Sequence, residues 1–153
     1  DPASVNPEWQ EFFAGLKDIF HKPHGLFIDR YPAGREATVA WPAVDLKFQN
    51  DTKYGVLVQA YVEKATPSSK GSITVKMWST KTYDKVVATA PVKSNFKNGR
   101  EVTDDSPKCE PSSPVPGFDV RYQRLFYKDG SVVRRENFKW TYAPTDKVTC
   151  KKH

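Results

Sequence analysis

A chain of 153 residues with 38% hydrophobic and 13% aromatic content is long enough to bury a core and too apolar to stay disordered. It contains no apolar run long enough to span a bilayer. The net charge of +6 favours anionic surroundings, but the 24 Lys and Arg are scattered and form no RNA-binding signature, so nucleic acid is not an expected partner. At the N-terminal end, residues 6–20 predict the one helix. Asn6 suits the cap, Pro7 the first helical position, and Glu8 and Glu11 the positive end of the helix dipole. Trp9, Phe12, Phe13, Leu16, Ile19 and Phe20 recur at helical spacing. That apolar face is expected to pack on a sheet rather than a membrane, because the opposite face has acids and Lys17 instead of a basic stripe. Pro23 is expected to end the element.

His21-Lys22-Pro23-His24 follows. Neutral imidazoles are common metal ligands, yet Pro23 prevents a regular helix from presenting both rings on one face, and no third ligand stands out. We therefore expect no metal and no other cofactor here. The histidines read as a helix-terminal pair or as ligand contacts. Residues 30–36 are the densest stretch of chemistry in the chain. Pro32 pushes Tyr31 towards extended geometry, and Gly34 can take a positive φ or allow a close backbone approach. Arg35 sets a planar guanidinium beside the Glu36 carboxylate, an arrangement shared by structural ion pairs and by sites that grip carboxylates or phosphates.

The rest reads as β structure over 54–150. Residues 54–61 and 72–79 are rich in β-branched and aromatic side chains and flank a polar loop, so they predict a hairpin. Residues 85–90 suggest a third strand, and the Pro, Ser, Asp and Lys of 92–116 an irregular segment. Residues 118–127 alternate apolar Phe118, Val120 and Tyr122 with polar Asp119, Arg121 and Gln123, as in a half-buried strand. Asp129-Gly130 predicts a type I′ turn into a partner strand over 132–141. The faces of Arg121, Arg124, Arg134 and Arg135 then depend on register. They form either a solvated strand face or a groove shared with Arg30 and Arg35. The proline-rich stretch 110–117 reads as a surface connection or as a stiff binding loop. No catalytic signature such as G-x-S-x-G, H-E-x-x-H or a P-loop occurs.

Taken together, H-x-P-H at 21–24, R-Y-P-x-G-R-E-A-T-V at 30–39 and D-L-K-F-x-N-D-T at 45–52 resemble the VanW family. The likeness includes F-F-A-G-L at 12–16 upstream. Downstream it takes in Met77-Trp78-Ser79-Thr80-Lys81, Asp105-Ser106-Pro107, Pro116-Gly117-Phe118-Asp119, Arg134-Arg135-Glu136 and Tyr142-x-Pro144-x-Asp146. It thus runs over nearly the whole chain, read as one VanW-like domain, 1–153, with a motif region at 21–51. Asp1 to Asn6 lacks the G-V-C-Q-x-S-T segment that family members have at this point, so no reactive cysteine is expected there.

The resemblance implies a secreted, cell-envelope-associated protein linked to glycopeptide resistance. Asp1 is compatible with either a mature terminus or the start of an excised segment. In that setting Cys109 and Cys150, with neither CxxC spacing nor companion histidines, are expected to form a disulfide rather than remain thiols. Closing the loop between them stabilises by about 4 kcal/mol on a chain-entropy account. The expected fold is α+β, mostly antiparallel, with one N-terminal amphipathic helix packed on a small sheet. The leading functional expectation is a binding domain for an anionic wall polymer or peptidoglycan fragment, with ligand-binding residues Arg30, Tyr31, Arg35, Glu36, His21 and His24. Two alternatives accompany it: a wall-polymer-modifying enzyme using His21 or His24, and an inhibitor of a secreted protease, or other protein-interaction module, using loop 110–117.

Overall fold

The computed structural model describes residues 14–151. Ten strands run along them. β1 (Lys17–Phe20) pairs antiparallel with β2 (Lys47–Gln49), and β3 (Val56–Glu63) forms a hairpin with β4 (Ser72–Ser79). β5 (Lys85–Ala88), β6 (Val92–Lys97), β8 (Gly117–Lys128) and β9 (Ser131–Tyr142) make the largest sheet. β7 (Glu101–Asp104) and β10 (Lys147–Cys150) pair in parallel.

The expected helix over 6–20, and the α+β class that depended on it, are corrected. No helical element occurs among the described residues, and Lys17–Phe20 is a strand; residues 6–13 lie outside those described. Gly15 gives the physical reason. Its φ of +78° is left-handed, a conformation that stops a right-handed helix. A Cβ there would also come within 3.2 Å of Val86 Cγ2. The apolar spacing therefore continued across a break. Leu16 is buried, whereas Ile19 and Phe20, placed on the same helical face by the pattern, are 51% and 45% exposed.

β8 and β9 are the backbone of the structure. Asp129 and Gly130 both have positive φ, as a type I′ turn requires, and their strands pair from Lys128↔Ser131 to Phe118↔Tyr142. The other edge of β8 is shared end to end. β5 pairs with its Arg124–Tyr127 portion and β6 with its Gly117–Arg121 portion. Pro91 falls between them, where it has no N–H to offer the ladder. So the segment 92–116, expected to be irregular, holds two strands, β6 and β7. Their polar composition fits edge positions that are mostly exposed.

Period-two alternation gives this sheet two different faces. Phe118, Val120, Tyr122, Arg124 and Phe126 of β8 point to the covered side, where Ala33, Phe118, Val120 and Tyr142 form a core flanked by Phe27 and Trp140. Burying such side chains contributes about 1.5–3 kcal/mol each. Asp119, Arg121, Gln123 and Leu125 lie on the opposite side. The register consequently divides the four arginines: Arg124 and Arg134 share the covered face, Arg121 and Arg135 the open one.

Cys109 and Cys150 form the expected disulfide, with Cα atoms 5.7 Å apart at the end of the β7–β10 pair. Lys147 Nζ meets Glu101 Oε1 at 3.2 Å across that pair, and Arg100 binds Asp146 through both its backbone N–H and its guanidinium. These bonds to Arg100 hold the Asp146 carboxyl below its usual pKa of 3.8. Among the described residues no helix is long and apolar enough to cross a membrane.

Candidate functional site

The segment 21–38 lies over the covered face, and two tyrosines of the hairpin hold it there. Gly34 is the point of attachment. Its backbone N–H donates to Tyr142 Oη at 2.6 Å, and its carbonyl accepts from Tyr122 Oη at 3.0 Å. With φ at +74° and a virtual Cβ only 2.9 Å from Val120 Cγ1, this position has neither the backbone geometry nor the space for a side chain. Tyr142 then passes the network on, donating its hydroxyl proton to Glu36 Oε1 at 2.6 Å. Glu36 is only 3% exposed.

Next to this carboxylate stands His24, whose Nδ1 lies 3.9 Å from Glu36 Oε1, beyond hydrogen-bond distance. Neither His24 Nδ1 nor Glu36 Oε2, both shielded from solvent, has a hydrogen-bond partner among the described residues. The His24 carbonyl accepts from Trp140 Nε1 at 2.9 Å, which fixes the backbone beneath the ring. The ring itself stacks on Tyr31, with centroids 5.3 Å apart and planes 2° from parallel. Arg30 places its guanidinium carbon 4.9 Å from the centroid of that same Tyr31 ring. The outcome is a cation–aromatic stack of exposed Arg30 and half-buried Tyr31 and His24 over a buried carboxylate.

Of the six expected ligand-binding residues, Arg30, Tyr31, His24 and Glu36 are brought together. Arg35 follows a turn closed by its own N–H to the Pro32 carbonyl at 3.0 Å, and its side chain is half-buried with a shielded Nε. His21 does not join the stack. It pairs with Asp18 (Nδ1 to Oδ2, 2.7 Å) at the end of β1, which replaces the helix-terminal role suggested by its sequence position. No group of three or more His, Cys, Asp or Glu suited to a metal occurs among the described residues.

The covered face holds a second charged network, separate from the first. Arg124 is fully buried; its Nε donates to Glu136 Oε2 at 2.8 Å and its Nη2 to the Leu16 carbonyl at 2.9 Å. Arg134 pairs with the other Glu136 oxygen and with Asp51 at 3.2 Å. Burial works against the Arg134 charge, but hydrogen bonds to Tyr83, Asp51 and Glu136 outweigh it and hold the pKa above its ordinary value. Arg124 and Arg134 thus bind the sheet to residues 16 and 51. They form neither the solvated face nor the shared groove that their sequence suggested.

Loop 110–117 is mostly exposed yet firmly attached. Ser112 exchanges backbone hydrogen bonds with Val148, and Val115 N–H donates to Thr145 Oγ1 at 2.8 Å. Tyr122 and Tyr142 are the residues that sequence reasoning missed. Alternation places them on the core face, but their hydroxyl partners are 88 and 108 residues away and carry no local signal.

Fold and site define a mainly antiparallel β protein, closed by a disulfide, with a buried carboxylate beneath a cation–aromatic stack. Residues 9–78 match the family model described as VanW like protein, and this part of the chain is VanW-like. The match takes in the whole stack and ends at Trp78, before the tyrosine clamp and the disulfide. No curated protein and no solved structure matches the chain significantly.

Proposed function

We propose that the chain is a binding module of the cell envelope, and that Arg30, Tyr31 and His24 take a carboxylate-bearing peptidoglycan fragment or anionic glycan. The observation that carries this reading is the Arg30–Tyr31–His24 stack, in which one aromatic ring contacts both a guanidinium and an imidazole. An aromatic face suits the apolar side of a sugar or peptide, and a guanidinium suits a carboxylate. Glu36, at 3% exposure, acts as a positioning group that fixes the site to Tyr142 rather than as a ligand contact. Arg35 supports the turn behind the stack.

Pelleting with purified peptidoglycan at moderate salt tests the reading. The unmodified chain should co-sediment without releasing fragments, and Arg30→Gln and Tyr31→Ala should each weaken binding severalfold. Unchanged binding in both variants would remove the stack as the site. Released soluble fragments would instead support an enzyme and direct attention to the His21–Asp18 pair.

One observation favours a second reading. The exposed loop 110–117 is held at Ser112 and Val115 and adjoins the disulfide, so it is pre-organised for contact with a protein such as a secreted protease. Substitutions confined to that loop would then be the ones to abolish the protein's effect.

A further inference from the structure

The open face of the β8–β9 hairpin has no part in the site above. It lies on the opposite side of the strands from Tyr122 and Tyr142, and β9 exposes every other residue along it. Arg121 stands directly across from Lys139, and Leu125 across from Arg135. Lys85, opposite Tyr127 on the β5 side, extends the same face with its ammonium 4.5 Å from that ring. Like charges directly opposite each other on paired strands are destabilising, so the Arg121–Lys139 pair counts against the fold rather than for it. Neither residue makes an ion pair among the described residues.

Asp119 is the face's one acid beside them, and its oxygens are occupied by Asn95 at 2.6 Å and Thr141 at 2.6 Å. Between the charged rungs, Gln123 and Asn137 bond to each other at 2.8 Å. An open cavity of about 620 Å³ bordered by Asp119, Arg121, Lys139 and Thr141 lies at the Arg121 end. Lys139 lies four positions along β9 from Arg135, so the cations recur over about 13 Å.

We propose that this face binds a linear polyanion with a polyol-phosphate backbone, laid along β8 and β9 with its phosphates against Arg121, Lys139 and Arg135. The charge complementarity is one-sided: Lys85, Arg121, Arg135 and Lys139 oppose a single acid whose hydrogen bonds are already made. Thr141 and the Gln123–Asn137 pair offer polar partners for polyol hydroxyls. A nucleic acid fits less well, since unspecific single-strand binding relies on aromatic platforms for the bases, and the one aromatic of this face, Tyr127, is engaged by Lys85. The Cys109–Cys150 disulfide also suits an oxidising compartment. This inference is independent of the carboxylate site, because the two sets of residues occupy opposite faces.

The test measures binding of soluble polyglycerol phosphate by the whole chain across a salt series. The double variant Arg121→Ser/Lys139→Ser should lose about tenfold in affinity and lower the slope of log K against log salt by about two charges. Arg135→Gln should lose less and lower the slope by about one. Lys70→Gln, an exposed cation in the connection between β3 and β4, should bind this polymer as the unmodified chain does. The double variant should melt no lower than the parent, because a like-charge pair has been relieved. Absence of binding by the parent, or affinity within twofold in the double variant, would overturn the proposal. Equal binding of a single-stranded oligonucleotide with the same sensitivity to both variants would also overturn it, assigning the face to nucleic acid.

Discussion

Replacing Tyr142 with Phe removes one oxygen and leaves the ring. That oxygen accepts from the Gly34 N–H and donates to Glu36 Oε1, each at 2.6 Å in buried surroundings. The variant therefore strands a backbone donor, at about 1–3 kcal/mol, and removes a hydrogen bond to a charged group worth about 1.5–3 kcal/mol. Allowing for some relaxation, we expect a loss of about 3 kcal/mol, against a total of about 5–15 kcal/mol for a typical domain. The assay is urea unfolding followed by tryptophan fluorescence, with Trp140 beside the perturbed site. The midpoint should fall by about 1–2 M with the slope unchanged. A cycle with Glu36→Gln should give a coupling of about 1–2 kcal/mol, since both changes act on one bond. A loss under about 1 kcal/mol, or strict additivity in the cycle, would refute the clamp as what holds segment 21–38 in place.

Two further outcomes follow from the same geometry. Gly34→Ala combines a left-handed φ with a 2.9 Å approach to Val120 Cγ1, and should cost about 2–4 kcal/mol by the same assay; a change near zero would show that the segment repacks freely. Asp146 has its pKa depressed by Arg100, so its contribution is complete above the unfolded value near 3.8 and is lost as pH falls through the lower folded value. Asp146→Asn should therefore flatten the dependence of the urea midpoint on pH below about 4 while leaving that dependence unchanged near pH 7. An acid limb as steep as the parent's would contradict the assignment.

Local rules were enough for the hairpins. Asp129-Gly130 signals its turn because an L-residue followed by glycine tolerates two positive φ values, and alternation in 118–127 correctly separates Val120 from Arg121. The Asn50 side chain accepts from Thr52 N–H at 3.1 Å, the local turn bond that asparagine favours. The expected helix could not run to residue 20 because apolar spacing alone does not register a left-handed glycine: Gly15, with a φ of +78°, precedes the strand Lys17–Phe20. The arginines of β8 and β9 were undecidable before the register was known, since a one-residue slip exchanges Arg124 with Leu125 on the core side. At the site, residues 24–36 could be listed from the sequence, but what fixes them could not, because Tyr142 reaches Glu36 across 106 residues.

The β3–β4 hairpin is unlike the rest of the molecule. Its eight rungs pair the two strands mainly with each other, and Leu57, Tyr61, Val62 and Trp78 remain more than half exposed. It is joined across its far end by a polar connection between Glu63 and Ser72. Lengthening that connection lengthens only a loop, at about 0.6 kcal/mol per doubling. The same insertion at Asp129-Gly130 would remove the turn that sets the register of the central strands. The chain therefore offers one tolerant port, between Glu63 and Ser72, where a reporter or affinity sequence can be spliced in while both faces of the β8–β9 hairpin stay as they are.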